Sequence, residues 1–221
     1  MNKVEDKDIT ISPLKNYKHA RNLTFMAVSR QELAEASKTL PLFFAKDGDG
    51  VTPIVILGVK DNENLFVNKS GEWEKNIYIP ALIRSYPFVL SKQVDVYSLA
   101  YDVEYEGLNK KDGQKILDEN GELNEYGKNV MNFVQNVYTD LEFTKNITKL
   151  LSDNELFKDI NANIEKDGKK FVLSGLMQID TDKLNTLSDD KLLILVKSGA
   201  LNLVYSHLAS LSNFKNLAEN I

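Results

Sequence analysis

His207 and Arg84 are the residues in this 221-residue chain whose chemistry could act on a ligand. His207 stands in Leu203-Val204-Tyr205-Ser206-His207-Leu208-Ala209-Ser210-Leu211, where helical spacing puts it on an edge with Val204 and Leu211. An imidazole titrates near neutrality, which suits a general base or an anion partner. The same position equally suits a partly buried histidine hydrogen-bonded to tertiary neighbours. As a base it would need an acidic partner, and Asp102 and Glu104 are the ones the sequence offers. Arg84 lies between Pro80 and Pro87, with Tyr78 and Tyr86 beside it. A guanidinium fixed on a short helix can hold a carboxylate or phosphate bidentately. It can also be a structural arginine, stacked on aromatics and paired with an acid such as Asp102. Trp73, the only tryptophan, is either a core or loop anchor or part of a ligand cage. The candidate set is therefore His207 for catalysis, with Arg84, Trp73, Tyr78, Tyr86 and Asp102 for ligand binding.

Other chemistries find no footing. There are two histidines in all and no His-Glu-x-x-His pair, and the absence of cysteine excludes disulfides, thiolate nucleophiles and thiolate-held metals. Asp47-Gly48-Asp49-Gly50 opens like a calcium loop but lacks the later ligands, so it reads as a turn. No nucleophile elbow, phosphate loop or dinucleotide fingerprint is present. The expectation is no metal and no cofactor. A net charge of −5 without a basic run disfavours nucleic acid and anionic membranes as partners. The polar N-terminus lacks the apolar core of a signal peptide, and no apolar run approaches the roughly 20 residues that span a bilayer. The chain is expected in the cytoplasm, with export by a route needing no cleavable signal left open.

The elements that must position these residues follow from local pattern. Residues 1–22 read as an extended arm. Ser29-x-x-Glu32 is a capping box before a helix over 30–39, stopped by Pro41. Leu42–Ala45 and Thr52–Val59 read as strands, with Leu65–Val67 returning as a partner and Trp73–Tyr78 as another strand. Pro80 opens a short helix over 81–85. Val94–Val103 alternates as a strand. A long amphipathic helix over 124–151 carries the stripe Val130, Phe133, Val134, Val137, Leu141, Phe143 and Ile147, with Asp140, Glu142 and Lys145 on the solvated face. Ser152-x-x-Glu155 caps a further short helix. Ile160–Glu165 and Lys170–Ile179 form a hairpin about Asp167-Gly168. Short helices cover 181–187 and 189–197, the second capped by Ser188 and stopped by Gly199, and a last helix covers 200–217.

Strands come first, helices later, with a second hairpin between, and they do not alternate as crossover units. This predicts an α+β fold: a mostly antiparallel sheet built from N-terminal strands and a later hairpin, packed by the long central helix and the C-terminal helices. A single domain over 1–221 is expected, with 109–121 as the one candidate boundary. Hydrophobic residues at 43% and charged residues at 27% suit a globular chain with a sizeable core.

An ordered set of short motifs adds a family. Pro53-Ile54-Val55-Ile56-Leu57-Gly58, Glu63-Asn64-Leu65-Phe66-Val67, Gly71-Glu72-Trp73, and Tyr78-Ile79-Pro80-Ala81-Leu82-Ile83-Arg84-Ser85-Tyr86-Pro87-Phe88 occur in this order. They are followed by Leu117-Asp118-Glu119-Asn120-Gly121, Leu173-Ser174-Gly175 with Ile179-Asp180, and Leu203–Leu211. Together they resemble the SapC family of bacterial proteins over nearly the whole chain, with His19 where that family often has a histidine. Leu82 stands where an aromatic is common and Ser85 where a second arginine is common, which would weaken an anion site. The family takes its name from a surface-layer protein locus and brings no established catalytic residues. The resemblance implies an accessory or binding protein of the surface-layer or outer-envelope system. Its partner would be a peptide, a protein or a small anionic ligand, met at a concave patch of Trp73, Tyr78, Arg84 and Tyr86. The alternative is a metal-free enzyme acting on a small ligand through His207 and Arg84.

Overall fold

The computed structural model describes residues 6–93, 96–219 and 221. Met1–Glu5 of the expected arm and Val94–Asp95 of the expected strand lie outside the described residues. In chain order the elements are β1 (Thr10–Ile11), β2 (Phe25–Ala27), α1 (Leu33–Ala36), β3 (Leu42–Asp47), β4 (Gly50–Ile56), α2 (Ala81–Arg84), β5 (Phe88–Gln93) and β6 (Val96–Tyr101). They continue as β7 (Gln114–Lys115), α3 (Glu125–Asp153), β8 (Phe157–Lys166), β9 (Lys169–Ile179), α4 (Thr181–Asn185), α5 (Asp189–Ser198), α6 (Ala200–Ser210) and α7 (Asn213–Glu219). The fold is α+β and every strand pair is antiparallel.

Two compact units share the chain. The first joins Met1–Asn16 to Leu82–Thr139, and the second joins Tyr17–Ala81 to Asp140–Ile221. The seams therefore fall before Tyr17, Leu82 and Asp140, and the 109–121 stretch lies inside the first unit.

The second unit carries the five-stranded sheet, in the order β2-β4-β3-β9-β8. β4 lies between β2 and β3, which pair with both of its edges, and its side chains at Val55 and Ile56 are almost sealed from water. Asp47-Gly48-Asp49-Gly50 makes the tight β3–β4 turn, with Asp47 paired to Gly50. Asp167 and Gly168, both at positive φ, close the β8–β9 hairpin as the Asp-Gly pattern predicts. α6 lays Leu203, Val204 and His207 onto β3 and β9.

Four local expectations are corrected. β4 takes its outer partner from Phe25–Ala27, not from Leu65–Val67, which meets Trp73 in a single bridge. Trp73–Tyr78 is loop, turned by Gly71 and Asn76 at positive φ. The Ser152 box opens no helix: α3 runs on to Asp153, Glu155 takes positive φ, and β8 follows. The last helix breaks after Ser210 and resumes at Asn213.

In the first unit, β5 and β6 pair over Phe88–Tyr101, and β1 pairs with β7. Ile11, Phe88, Leu99, Tyr105, Ile116, Leu117 and Val134 form its core. Gly127 in the first turns of α3 permits this packing, since a Cβ there would sit 2.4 Å from the Ile116 carbonyl oxygen.

Candidate functional site

His207 is fully buried on α6. Its Nδ1 lies 2.7 Å from the Leu42 carbonyl oxygen, and its Nε2 accepts from the Ile179 N–H at 3.3 Å. Only the neutral Nδ1–H tautomer satisfies both. The rings of Phe44 and Phe43 stand 5.1 and 5.9 Å away. Burial pushes its pKa down to about 4, against the smaller upward pull of the Leu42 carbonyl. The imidazole thereby fastens β3 and β9 to α6.

Trp73 belongs to the same unit and sits in the loop after β4. Its ring is 8% exposed, roughly parallel to Phe66 at 6.2 Å between centroids and met edge-on by Tyr17 at 5.7 Å. Sequence explains the loop that holds it. Asn68 folds its side-chain oxygen onto the N–H groups of Ser70 and Glu72 at 3.0 and 2.9 Å, an Asx-type turn. Its amide then donates to the Glu72 carboxylate at 2.8 Å. That bond and one from Ser70 hold the Glu72 carboxyl below the usual glutamate range. Arg21 grips the Lys69 carbonyl at 2.7 Å, and Tyr17 donates its N–H to the Gly71 carbonyl at the same distance.

A cavity of about 490 Å³ opens on this loop, lined by Leu65, Phe66, Asn68, Glu72, Trp73, Glu74 and Lys75. One polar atom of a lining residue is unsatisfied among the described residues. The Trp73 indole N–H is sealed from solvent and has no hydrogen-bond acceptor among the described residues. A buried donor left without a partner costs about 1–3 kcal/mol, and such groups are rare in native structures.

Tyr78 follows on the same loop, and its hydroxyl is committed to Glu32 at 3.0 Å. Glu32 is a residue that sequence reasoning undervalued. Its carboxylate is buried and also accepts from the Ser29 N–H (3.0 Å), the Ser29 hydroxyl (3.1 Å) and the Ala81 N–H (2.6 Å). The capping-box spacing exposed half of this role. The other half needed the Tyr78–Ala81 loop to come round.

Asp140 is the second residue undervalued. It was expected on the solvated face of α3, yet it is buried. It accepts from Arg30 Nε at 2.8 Å and the Gln31 N–H at 3.0 Å, while the Arg30 guanidinium lies 4.0 Å from the Phe143 ring centre. Phe143, placed by periodicity in the apolar stripe, is 46% exposed beneath that arginine.

Arg84, Tyr86 and Asp102 belong to the first unit. The Tyr86 hydroxyl donates to Asp102 at 2.8 Å, and the other Asp102 oxygen accepts from the Glu104 N–H at 2.9 Å. Burial, then the bond to Asp102, pushes the Tyr86 pKa up to about 12. Arg84 is exposed and holds its guanidinium 5.6 Å from the Phe133 ring centre. The expected residues thus divide by unit: Trp73, Tyr78 and His207 in the second, Arg84, Tyr86 and Asp102 in the first. Within the second, Tyr78 is engaged with Glu32 and His207 with the backbone. Trp73 lines a cavity and, among the described residues, leaves its indole N–H without an acceptor.

A family model described as SapC matches residues 1–217. The chain belongs to the SapC family. No curated protein and no solved structure matches it. The Trp73 loop and the Tyr78–Phe88 stretch both lie within the SapC match. Among the described residues, no single helix is long and apolar enough to cross a membrane.

Proposed function

We propose that this SapC-family chain is an accessory binding protein of the surface-layer or outer-envelope system, and that it takes a peptide segment of a protein partner at the Trp73 cavity. The observation that carries the reading is that Trp73, whose buried indole N–H finds no acceptor among the described residues, lines that cavity. A peptide supplies the missing group as a backbone carbonyl, while an apolar side chain fits against Phe66 and Trp73. Glu72, Glu74 and Lys75 at the rim provide charges for orientation. Because the N–H is sealed, an incoming carbonyl must part the rim, where the side chains of Glu74 and Lys75 are exposed.

The envelope link comes from the family, whose name derives from a surface-layer locus. A cytoplasmic location goes with the proposal, to be checked by fractionation. The acidic net charge disfavours nucleic acid as the partner. The reading with His207 as a catalytic base has less support, because both ring nitrogens are occupied by backbone groups. Trp73 is the only tryptophan, so its emission reports directly on the site. Binding should shift that emission, and Trp73→Phe should abolish binding while leaving far-UV circular dichroism unchanged. Equal binding by the Phe variant would overturn the assignment.

A further inference from the structure

The turn that holds Trp73 recurs in the other unit. Val67-Asn68-Lys69-Ser70-Gly71-Glu72-Trp73 lies in the second unit, and Leu117-Asp118-Glu119-Asn120-Gly121-Glu122-Leu123 lies fifty positions on, in the first. Both read apolar, Asx, two variable residues, glycine, glutamate, apolar. The hydrogen bonds repeat position for position. Asp118 Oδ1 accepts from the N–H groups of Asn120 and Glu122 at 2.8 and 3.0 Å, as the Asn68 oxygen does from Ser70 and Glu72. The Asp118 N–H donates to the Glu122 carbonyl at 2.8 Å and the Gly121 N–H to the Asp118 carbonyl at 3.1 Å, matching the bonds of Asn68 and Gly71 at 3.0 Å. Gly121 takes positive φ where Gly71 does. The likeness runs past the turn. Leu117 bridges to Leu123 as Val67 does to Trp73. The Asn124 N–H donates to the Ile116 carbonyl at 3.0 Å, as that of Glu74 does to Phe66 at 2.8 Å.

An Asx-type turn by itself accounts for the tip. It does not account for a cavity at the same place beside each turn. The second cavity, about 690 Å³, is lined by Gln114, Lys115, Asn124, Glu125, Tyr126 and Asn129. Lys115, Asn124 and Glu125 stand where Leu65, Glu74 and Lys75 line the first. Its chemistry is polar where the first has Phe66 and Trp73. Among the described residues, the side chains of Gln114 and Asn129 and the half-buried Tyr126 hydroxyl make no hydrogen bond. A side-chain amide carries a donor and an acceptor, the pair that a peptide group also presents. We infer that the Leu117–Asn124 turn carries a second polypeptide-binding site, which takes a polar stretch flanking the segment held at Trp73; this rests on the Trp73 assignment. With Leu123 in the place of tryptophan, the second site is too weak to retain a short peptide alone. It acts on a stretch already tethered at Trp73, where linkage supplies a high effective concentration.

Two probes test this. One is a peptide of about 15 residues that shifts Trp73 emission, drawn from overlapping segments of envelope proteins; the other is the same peptide extended by about 30 residues of its parent sequence at each end. Both are titrated by Trp73 emission against the wild type and against the double variant Gln114→Ala, Asn129→Ala, whose altered side chains are exposed and lie outside the Trp73 cavity. The extended probe should bind the wild type about tenfold or more tightly than the short one. The double variant should bind both probes with the wild type's affinity for the short one. Backbone amide resonances of Gln114 and Asn129 in the wild type should move with the extended probe only. Equal affinity of the wild type for both probes, or a gain that survives in the double variant, overturns the second site and leaves the Trp73 assignment standing. Failure of every short peptide to shift Trp73 emission overturns both.

Discussion

Acidification should destabilise this protein in a window set by His207. The imidazole is neutral in the folded chain because it is buried among Phe43, Phe44 and backbone, and because Nε2 must remain an acceptor for the Ile179 N–H. Protonation would set two N–H groups against each other. The folded pKa is lowered from 6.5 to about 4. Below pH 6.5 the unfolded chain therefore binds a proton that the folded chain refuses. The stability held by the neutral ring is complete above pH 6.5 and drains away as the pH falls towards 4. At 1.36 kcal/mol per unit, the difference amounts to about 3 kcal/mol. Asp112, held down to about 2 by hydrogen bonds from Lys15 and Ser12, titrates below this window. Urea unfolding at pH 7.5, 6, 5 and 4.5 should show the loss in the wild type. His207→Gln, which can still accept from Ile179 and donate to Leu42 without titrating, should show a correspondingly flatter profile. Any contribution from His19 is common to both proteins and cancels. Parallel profiles from pH 4.5 to 7.5 would refute the reasoning.

Three further predictions concern stability without ligand. Trp73→Phe removes an unsatisfied donor along with some ring contact, so its unfolding free energy should stay within about 1 kcal/mol of wild type, whereas Trp73→Ala should lose about 3–5 kcal/mol. A large loss in the Phe variant would mean that the indole N–H is satisfied in the folded chain. Glu32→Ala strips acceptors from Ser29, Tyr78 and Ala81 and should cost about 2–4 kcal/mol in urea unfolding, with faster amide exchange at Ala81. Asp140→Ala leaves Arg30 Nε and the Gln31 N–H without their acceptor and should cost about 2–3 kcal/mol by the same assay, while the exposed Glu142→Ala should change little.

Local chemistry was legible wherever a single residue decides the backbone. Asp167-Gly168 turns the β8–β9 hairpin, Gly199 at φ 78° ends α5, and α3 spans nearly the range its periodicity predicts. Pairing between distant segments was not legible. Leu65–Val67 has the composition of a strand and the proximity of a hairpin partner, yet Phe25–Ala27 takes the β4 edge, because an edge pairs through backbone groups that every segment carries and the tertiary fold decides which one reaches it. The buried face of α3 was misread in its second half for a related reason. Asp140 and Thr144 face inward where Arg30 and Gln31 supply donors, and that demand comes from residues 110 or so positions away. The site followed the same rule: Trp73 stood out by composition, Glu32 showed only its local half, and the unsatisfied indole N–H is visible only in three dimensions.

The most direct test of the binding assignment is an array of overlapping peptides spanning the surface-layer and outer-envelope proteins of the source cell. It should be probed with the wild-type chain and with Trp73→Phe at equal concentration. The account predicts a defined set of peptides held by the wild type and lost by the variant, with those same peptides shifting Trp73 emission in solution. A wild type that retains no peptide, or a Phe variant that retains the same set, would contradict it.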